Sequence, residues 1–218
     1  DGLVFCEDFD LREGNIYTEL DRISEPHADA EVLDATSCIV APGFIDIHIH
    51  GAYGTDFCDS TREAHENIAR YLASVGVTSY LGTTMAMKKP VLLNMIRVAN
   101  EFMNNPIEDG AVMRGINLEG PFAAVEKKGA MDPNNLIDPD YDLFVELNEA
   151  SEGRIKLNDV APEKPGALDL IERTSDVCVV SLHHTSADYD LAVEAFQRGA
   201  SHVTHLYNAM NGFSHRAP

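Results

Sequence analysis

The sequence predicts a parallel α/β fold built from about six consecutive strand–helix units. From residue 44 onward, short runs rich in Ile, Val and Leu alternate with longer segments of helical character. Several short runs are almost continuously apolar, which is typical of strands buried on both faces of a sheet. Both a doubly wound sheet and a (β/α)₈ barrel fit this alternation. The most unusual histidines lie at the C-terminal ends of the runs, where barrels keep their active sites.

The N-terminal part of the chain has a different character and is expected to form a small β-rich domain. Its short apolar runs, such as 3–5 and 38–40, alternate with acidic segments, of which 10–15 is predicted to be a turn. The pattern changes after Pro42-Gly43. We therefore divide the chain into two domains, residues 1–41 and residues 42–218.

Six strands and five helices are predicted in the second domain. The strands comprise residues 44–50, 77–83, 112–118, 155–161, 177–183 and 202–206. The helices comprise residues 61–75, 90–103, 141–150, 167–174 and 189–198. Ser60 and Glu63 have capping-box spacing before the first helix, and Gly76 stands where a C-terminal glycine is favoured. A (β/α)₈ barrel usually needs ~250 residues, so we expect an incomplete barrel of about six units.

The composition argues against several classes of function. The chain has 218 residues and a formal net charge of −20, from 36 acidic and 16 basic side chains. This negative field repels phosphate backbones, so no nucleic-acid partner is expected, although a small phosphorylated substrate remains compatible with it. No run approaches the ~18 apolar residues of a membrane span, so no membrane partner is expected. The four cysteines form no CxxC pair and suit a reducing, cytoplasmic location.

Two histidines and a glutamate at strand ends are candidate metal ligands. His48 and His50 lie two residues apart on a strand, so their side chains share a face and could share an ion. A bare HxH motif is a weak signal, since it also fits two ordinary polar residues at a strand end. Glu119 lies where the apolar run 112–118 meets a Gly-Pro turn, and a buried carboxylate there needs a polar partner or a metal.

Further histidines follow the fifth and sixth predicted strands. His183 and His184 are adjacent, and because neighbouring strand residues face opposite ways, only one of them is expected to enter the site. With His205, the chain places a histidine or a glutamate at four strand ends, which packing does not explain. Such donors suit Zn²⁺, Fe²⁺ or another divalent first-row ion, and an open coordination position would acidify a bound water. His27 and His65 have no comparable setting and are expected to be solvated.

Seven segments from residue 41 onward form a distinctive set. They are APGFIDIHIHG (41–51), GVTSYLGTT (76–84), LEGPF (118–122), KKGA (127–130), APE (161–163), HTSA (184–187) and THLYNAM (204–210). In order and spacing the set resembles the amidohydrolase superfamily and, within it, the N-acetylglucosamine-6-phosphate deacetylases. The resemblance implies a TIM-like (β/α)₈ barrel, with residues 1–41 as part of a small β-sandwich domain.

The same resemblance implies a metal-dependent hydrolase. Glu119, His184 and His205 would hold the principal ion. His48 and His50 would hold a second ion in those members that keep both histidines. The expected metal is Zn²⁺, with Fe²⁺ as the alternative. The implied reaction removes acetate from N-acetylglucosamine 6-phosphate, giving glucosamine 6-phosphate in amino-sugar catabolism, with a metal polarising the acetyl carbonyl and a carboxylate transferring the protons.

The resemblance also implies how the amino-sugar phosphate would be held. The residues expected to contact it are Ala130, Met131, Asn208, Ala209 and Arg216. Arg216 would reach the phosphate in the neighbouring subunit of a homodimer formed by the full-length protein, because a guanidinium can bind phosphate oxygens in pairs. Met131 departs from the polar residue that relatives often carry. The family's catalytic aspartate comes from an eighth strand, so its counterpart is expected beyond Pro218.

Two other interpretations remain open. The chain could be another amidohydrolase that acts on a cyclic amide or a purine, although Glu119 in an EGP turn together with HLYNAM favours the deacetylase. It could also be an inactive, truncated metal-binding homologue. The absence of the C-terminal acid from the 218 residues supports that interpretation.

Overall fold

The fold was analysed in a computed structural model, which describes residues 2–5, 11–14, 34 and 36–216. The chain divides into two compact units, residues 1–44 and residues 45–218.

The first unit contains a three-stranded sheet in the order β2-β1-β3. Strand β1 (Gly2–Phe5) pairs antiparallel with β2 (Leu11–Gly14) and parallel with β3 (Ile39–Val40). The prediction of a turn at residues 10–15 is therefore wrong for residues 11–14, whereas residues 10 and 15 lie outside the described part of the chain. Strand pairing uses backbone N–H and C=O groups, so the charged sequence LREG can pair with β1 without an apolar pattern.

The second unit carries the α/β architecture. Its strands are β4 (Phe44–Ile49), β5 (Gly51–Ala52), β6 (Thr55–Asp56), β7 (Val77–Thr83), β8 (Val112–Leu118), β9 (Ile155–Val160), β10 (Val179–Leu182) and β11 (Ala200–Val203). Its helices are α1 (Arg62–Ser74), α2 (Lys89–Asn104), α3 (Tyr141–Ala150), α4 (Ala167–Thr174) and α5 (Tyr189–Gln197). The short strands β5 and β6 form a hairpin that leads into α1.

The six long strands form one sheet in the order β11-β10-β9-β8-β7-β4. Successive pairs from β7 to β11 are parallel, so their C-terminal ends lie at one edge of the sheet. Together with the helices the strands form a half-barrel, which confirms the predicted incomplete (β/α) barrel. The described helices include none with both the length and the apolar character needed to cross a membrane.

The start of α1 differs in detail from the prediction. Thr61, and not Ser60, caps the helix, because the Thr61 hydroxyl accepts a hydrogen bond from the Ala64 amide at 3.1 Å. Ser60 instead has a left-handed backbone with φ of 51° and ends a short 3₁₀ turn. At the other end of α1, Gly76 has φ of 86°, as expected for a glycine that follows a helix.

His65 lies inside the core and not in solvent, so the prediction for this residue is wrong, whereas His27 lies outside the described residues. Its side chain is fully buried, with ring centroids 5.0 Å from Phe57 and 5.5 Å from Phe102. Neither ring nitrogen has a hydrogen-bond partner among the described residues. The helical spacing of His65 with Ile68 and Leu72, both buried, places all three on the inward face of α1. Burial without a partner lowers the pKa of His65 to about 4.

Candidate metal centre

Glu119 is the central residue of the site and follows directly after β8. Its side chain is only 2% exposed. The Thr84 hydroxyl donates to the Glu119 carbonyl oxygen at 2.7 Å and fixes the backbone at this point. Gly120 has φ of 136°, and a Cβ there would lie 2.4 Å from the Ala86 amide nitrogen. The turn therefore requires glycine, and it directs the carboxylate across the C-terminal edge of the sheet.

One carboxylate oxygen, Oε1, faces two histidines that come from the ends of other strands. The Glu119 Oε1 atom lies 3.2 Å from His184 Nε2 and 3.3 Å from His205 Nε2. The two histidine nitrogens are 3.1 Å apart. Three donor atoms from widely separated parts of the chain thus form a nearly equilateral triangle.

In both histidines, the hydrogen bond of Nδ1 determines which ring nitrogen carries the hydrogen. His184 Nδ1 lies 2.7 Å from the Lys127 carbonyl oxygen, and His205 Nδ1 lies 3.0 Å from the Asn208 carbonyl oxygen. A carbonyl oxygen only accepts hydrogen bonds, so each Nδ1 is the donor. In the neutral form of each ring, Nε2 then has the lone pair and directs it toward the centre, as in a metal-ligating histidine.

The triangle has the dimensions of a first-row metal site. Nitrogen and oxygen ligands lie ~2.0–2.1 Å from Zn²⁺, so two ligands of a tetrahedral ion are about 3.3 Å apart. The edges involving Glu119, His184 and His205, at 3.1 to 3.3 Å, fit that spacing. These residues therefore fit a divalent ion with three protein ligands and a fourth position left open.

The second carboxylate oxygen, Oε2, faces the HxH pair at the end of β4. Glu119 Oε2 lies 2.8 Å from His50 Nε2 and 3.5 Å from His48 Nε2. The ring centroid of His48 is 5.1 Å from that of His50 and 5.6 Å from that of His205. All five residues that the sequence singles out as metal ligands are therefore brought together around one carboxylate.

His183 lies closer to this centre than expected. Its ring is fully buried, and its Nδ1 is 4.0 Å from Glu119 Oε1. The expectation that only one of the two adjacent histidines turns inward is wrong, because β10 ends at Leu182 and strand alternation no longer applies. His184 has φ of 38°, which turns its side chain toward the same carboxylate. At 4.0 Å, His183 is still the more distant of the two.

The electrostatics of the centre favour an ionised carboxylate. Burial alone would raise the pKa of Glu119, but the surrounding histidines outweigh this effect and hold it well below its ordinary value. Burial lowers the pKa of His50 and His184, yet the adjacent Glu119 carboxylate favours the charged form of each ring and leaves both pKa values raised. The pKa of His48 is lowered, with burial as the main cause. A carboxylate that stays ionised among imidazoles is suited to a cation.

The loop that carries His184 is held by a carboxylate whose role the sequence did not reveal. Glu163 accepts hydrogen bonds from the Thr185 hydroxyl, from the Ser186 amide at 2.6 Å and from the Ser186 hydroxyl at 3.1 Å. Asn211 adds a bond from its side-chain amide to the Ser186 carbonyl at 2.9 Å. The APE segment at 161–163 was noted as a motif, and the structure supplies the physical reason for its glutamate.

A glycine packs against the ring of the same histidine. A Cβ on Gly129 would lie 3.2 Å from His184 Cε1 and 3.7 Å from Nδ1, and the residue has φ of 55°. Both the close approach and the left-handed backbone favour glycine. His205 also has a left-handed backbone, with φ of 31°. His184 and His205, the two histidines that face Oε1, therefore both have a left-handed backbone, which residues other than glycine rarely adopt.

A chain of buried hydrogen bonds fixes the strand end before His205. Thr204 Oγ1 donates to Asp159 Oδ1 at 2.6 Å, so Ser181 Oγ, at 2.7 Å, donates to Thr204. Ser181 then accepts from His202 Nδ1 at 3.0 Å. Asp159 is the last acceptor in this series of hydrogen bonds, and burial raises the pKa of its carboxyl group. Sequence patterns did not single out these residues, because Ser, Thr and Asp in a strand carry no distinctive spacing.

The residues expected to contact substrate lie in different environments. Asn208 and Ala209 belong to the turn after His205, where Asn208 is exposed and Ala209 has φ of 50°. Ala130 and Arg216 are exposed. Met131 is 3% exposed and packs in a small cluster with Ala86 and Ala123. The side chain of Met131 thus serves packing in the described structure.

Comparison with known proteins gives relatives that are named as deacetylases of N-acetylated amino-sugar 6-phosphates. A scan against protein-family models finds no match. The N-acetylglucosamine-6-phosphate deacetylase of Bacillus subtilis is 35% identical over 212 residues, covering 95% of this chain and 53% of the relative. The Homo sapiens enzyme of the same name is 34% identical over 225 residues, covering 100% of this chain and 54% of the relative.

Solved structures give the same result. The N-acetyl-D-glucosamine-6-phosphate deacetylase of Mycobacterium smegmatis superimposes with a TM-score of 0.77 at 28% sequence identity. The match covers 89% of this chain and 50% of the mycobacterial one. A mutant of that enzyme was solved in complex with N-acetyl-D-glucosamine-6-phosphate. The chain thus spans about half the length of the proteins it resembles.

Proposed function

Because the chain is a relative of the N-acetylglucosamine-6-phosphate deacetylases and spans about half of their length, we propose that it supplies the metal centre of such an enzyme. The reaction is hydrolysis of the N-acetyl group of N-acetylglucosamine 6-phosphate, giving glucosamine 6-phosphate and acetate. The protein would act on this small molecule in cytoplasmic amino-sugar catabolism. The observation that carries the proposal is the nearly equilateral triangle of donor atoms from Glu119, His184 and His205.

The proposed principal ligands are Glu119 Oε1, His184 Nε2 and His205 Nε2, with Zn²⁺ as the expected ion and Fe²⁺ as the alternative. Glu119 Oε2 with His48 and His50 is the candidate position for a second ion. When bound, a divalent ion polarises the acetyl carbonyl and acidifies water in its open position. The protein's own contribution is to keep Glu119 ionised and to hold each Nε2 unprotonated through the backbone carbonyls of Lys127 and Asn208.

The remaining roles follow the resemblance. Asn208 and Ala209, on the turn next to His205, would contact the sugar phosphate, as would Ala130 and Met131 near His184. The exposed guanidinium of Arg216 would bind phosphate across a homodimer. Proton transfer to the leaving amine would use a carboxylate from a part of the protein outside these 218 residues.

Metal analysis tests the centre directly. The purified chain is expected to bind Zn²⁺ after reconstitution, and Glu119→Gln, which removes the charge shared by the histidines, is expected to lose most of it. Glu126→Gln is the matched control, because Glu126 is exposed on a short 3₁₀ turn. A chain that stays metal-free on reconstitution, or an equal loss in both variants, contradicts the assignment.

Acetate release tests the reaction. We expect release from N-acetylglucosamine 6-phosphate in the longer protein that contains this chain, and its loss in the Glu119→Gln form of that protein. A metal-loaded longer protein without activity on this substrate would favour an inactive homologue or another amidohydrolase substrate.

A further inference from the structure

The side chain of Asn117 connects β8 to the HxH pair and has no role in the proposed function so far. Asn117 is fully buried, two residues before Glu119. Its amide nitrogen Nδ2 lies 3.3 Å from the Ile47 carbonyl oxygen and 3.1 Å from His48 Nδ1. Asn117 therefore contacts the one ring nitrogen of His48 that points away from Glu119.

The Ile47 carbonyl decides which way the amide faces. That oxygen only accepts hydrogen bonds, so it requires the NH₂ group of Asn117 on its side. Turning the amide over would place Oδ1 against another carbonyl oxygen and remove both acceptors from the NH₂ group. The observed orientation leaves only Oδ1 without a partner among the described residues. The NH₂ group is thus the donor toward His48.

A hydrogen-bond donor at this position determines which ring nitrogen of His48 carries the hydrogen. If Nδ1 accepts from Asn117, a neutral His48 must carry its hydrogen on Nε2. The Nε2 atom faces Glu119 Oε2 at 3.5 Å. His184 and His205 show the opposite arrangement, because their Nδ1 atoms donate to carbonyl oxygens and their Nε2 lone pairs are free. In the HxH pair, then, His48 is a hydrogen-bond donor at the position where an ion would need a lone pair.

We propose that Asn117 limits the centre to a single divalent ion by holding His48 as the Nε2–H tautomer. The ion occupies the position between Glu119 Oε1, His184 and His205. His48 instead presents an N–H group toward Glu119 Oε2 and any group bound beside it. The proposal rests on the proposed metal centre and narrows it from one or two ions to one. Asn117 is a positioning residue, since it acts through His48.

Two substitutions of Asn117 would remove the restriction of His48 to the Nε2–H tautomer. In Asn117→Asp the carboxylate only accepts, so His48 would carry its hydrogen on Nδ1 and free Nε2 for a ligand bond, as in carboxylate–histidine–metal arrangements. In Asn117→Ser the hydroxyl can accept or donate and permits the same tautomer if the aspartate variant does not fold. Asn158→Asp is the matched control, because Asn158 is equally buried on the neighbouring strand β9.

Two measurements on the full 218-residue chain are needed. Long-range ¹H–¹⁵N NMR spectra of the metal-free chain report which nitrogen of each histidine carries the proton. Equilibrium dialysis against Zn²⁺ followed by elemental analysis gives the number of bound ions. We expect Nε2–H for His48 and one Zn²⁺ in the unmodified chain and in Asn158→Asp. We expect Nδ1–H for His48 and two Zn²⁺ in folded Asn117→Asp or Asn117→Ser.

The results separate failure of this proposal from failure of the proposed function. An unmodified chain with Nδ1–H on His48, or with two Zn²⁺ ions, overturns the role of Asn117 and leaves the metal centre in place. Folded Asn117 variants that still bind one ion overturn it as well. An unmodified chain that binds no Zn²⁺ overturns the metal centre and the stoichiometry together, whereas the tautomer spectrum still decides the orientation of Asn117.

Discussion

Replacing the buried His65 by leucine is expected to make the fold less sensitive to acid. The His65 ring lies between Phe57 and Phe102 and has no described hydrogen-bond partner, so the fold accepts only its neutral form. The pKa of His65 in the folded chain is about 4, against an ordinary value of about 6.5 in the unfolded chain. Because the folded pKa is the lower one, this contribution is fully present above pH ~6.5 and is lost as the pH falls toward ~4.

The magnitude follows from these two pKa values. Between pH ~7 and pH ~5, a single group with this shift reduces the unfolding free energy by ~2 kcal/mol. Leucine is close to histidine in volume and has no proton to bind, so His65→Leu removes this component. The variant and the unmodified chain should therefore differ in pH dependence by that amount, while the titration of all other groups cancels in the difference.

Urea unfolding followed by circular dichroism at pH ~7, ~6 and ~5 measures this difference. The control is His215→Leu, since His215 is exposed. If His65→Leu loses as much stability as the unmodified chain on acidification, or if the control gains the same resistance to acid, the reasoning about His65 is refuted.

Two further predictions concern the loop that carries His184. Glu163→Gln weakens three hydrogen bonds to Thr185 and Ser186, so Zn²⁺ affinity, measured by competition with a chelator, should fall about 10- to 100-fold; unchanged affinity would show that the loop holds without it. Gly129→Ala should cost ~1 kcal/mol of stability and also weaken Zn²⁺ binding, because its Cβ would meet the His184 ring. Gly153→Ala is the control, since Gly153 has φ of 76° with nothing within 4 Å, and should lose stability alone. Equal effects on Zn²⁺ in both variants would contradict the contact.

Hydrophobic periodicity was sufficient to predict most of the α/β unit. Strands β7 and β8 and helices α3 and α4 have the predicted bounds, because their apolar residues face a core that each element must help to bury. The pattern fails for β2, where pairing depends on backbone groups that every residue carries.

The site was predictable where its residues are chemically unusual for their position. Histidines and a glutamate at strand ends stand out in a sequence, and the structure brings the five candidate side chains together; their role as metal ligands stays a prediction. Residues that act through a hydrogen bond do not stand out. The hydrogen-bonding roles of Asn117, Glu163 and Asp159 became recognisable only when the structure showed their partners, although Glu163 lies in the APE motif. The prediction for His65 is wrong because its position on the apolar face of α1, and not its polar ring, determines its burial.

The turns at His184 and His205 bear on how this protein could change over generations. Residues other than glycine seldom take φ of 38° or 31°, and each such turn costs ~1–2 kcal/mol. Glycine or asparagine at either position would relieve this backbone cost and would also remove one of the proposed metal ligands. Selection for stability alone would therefore not favour histidine at these two positions.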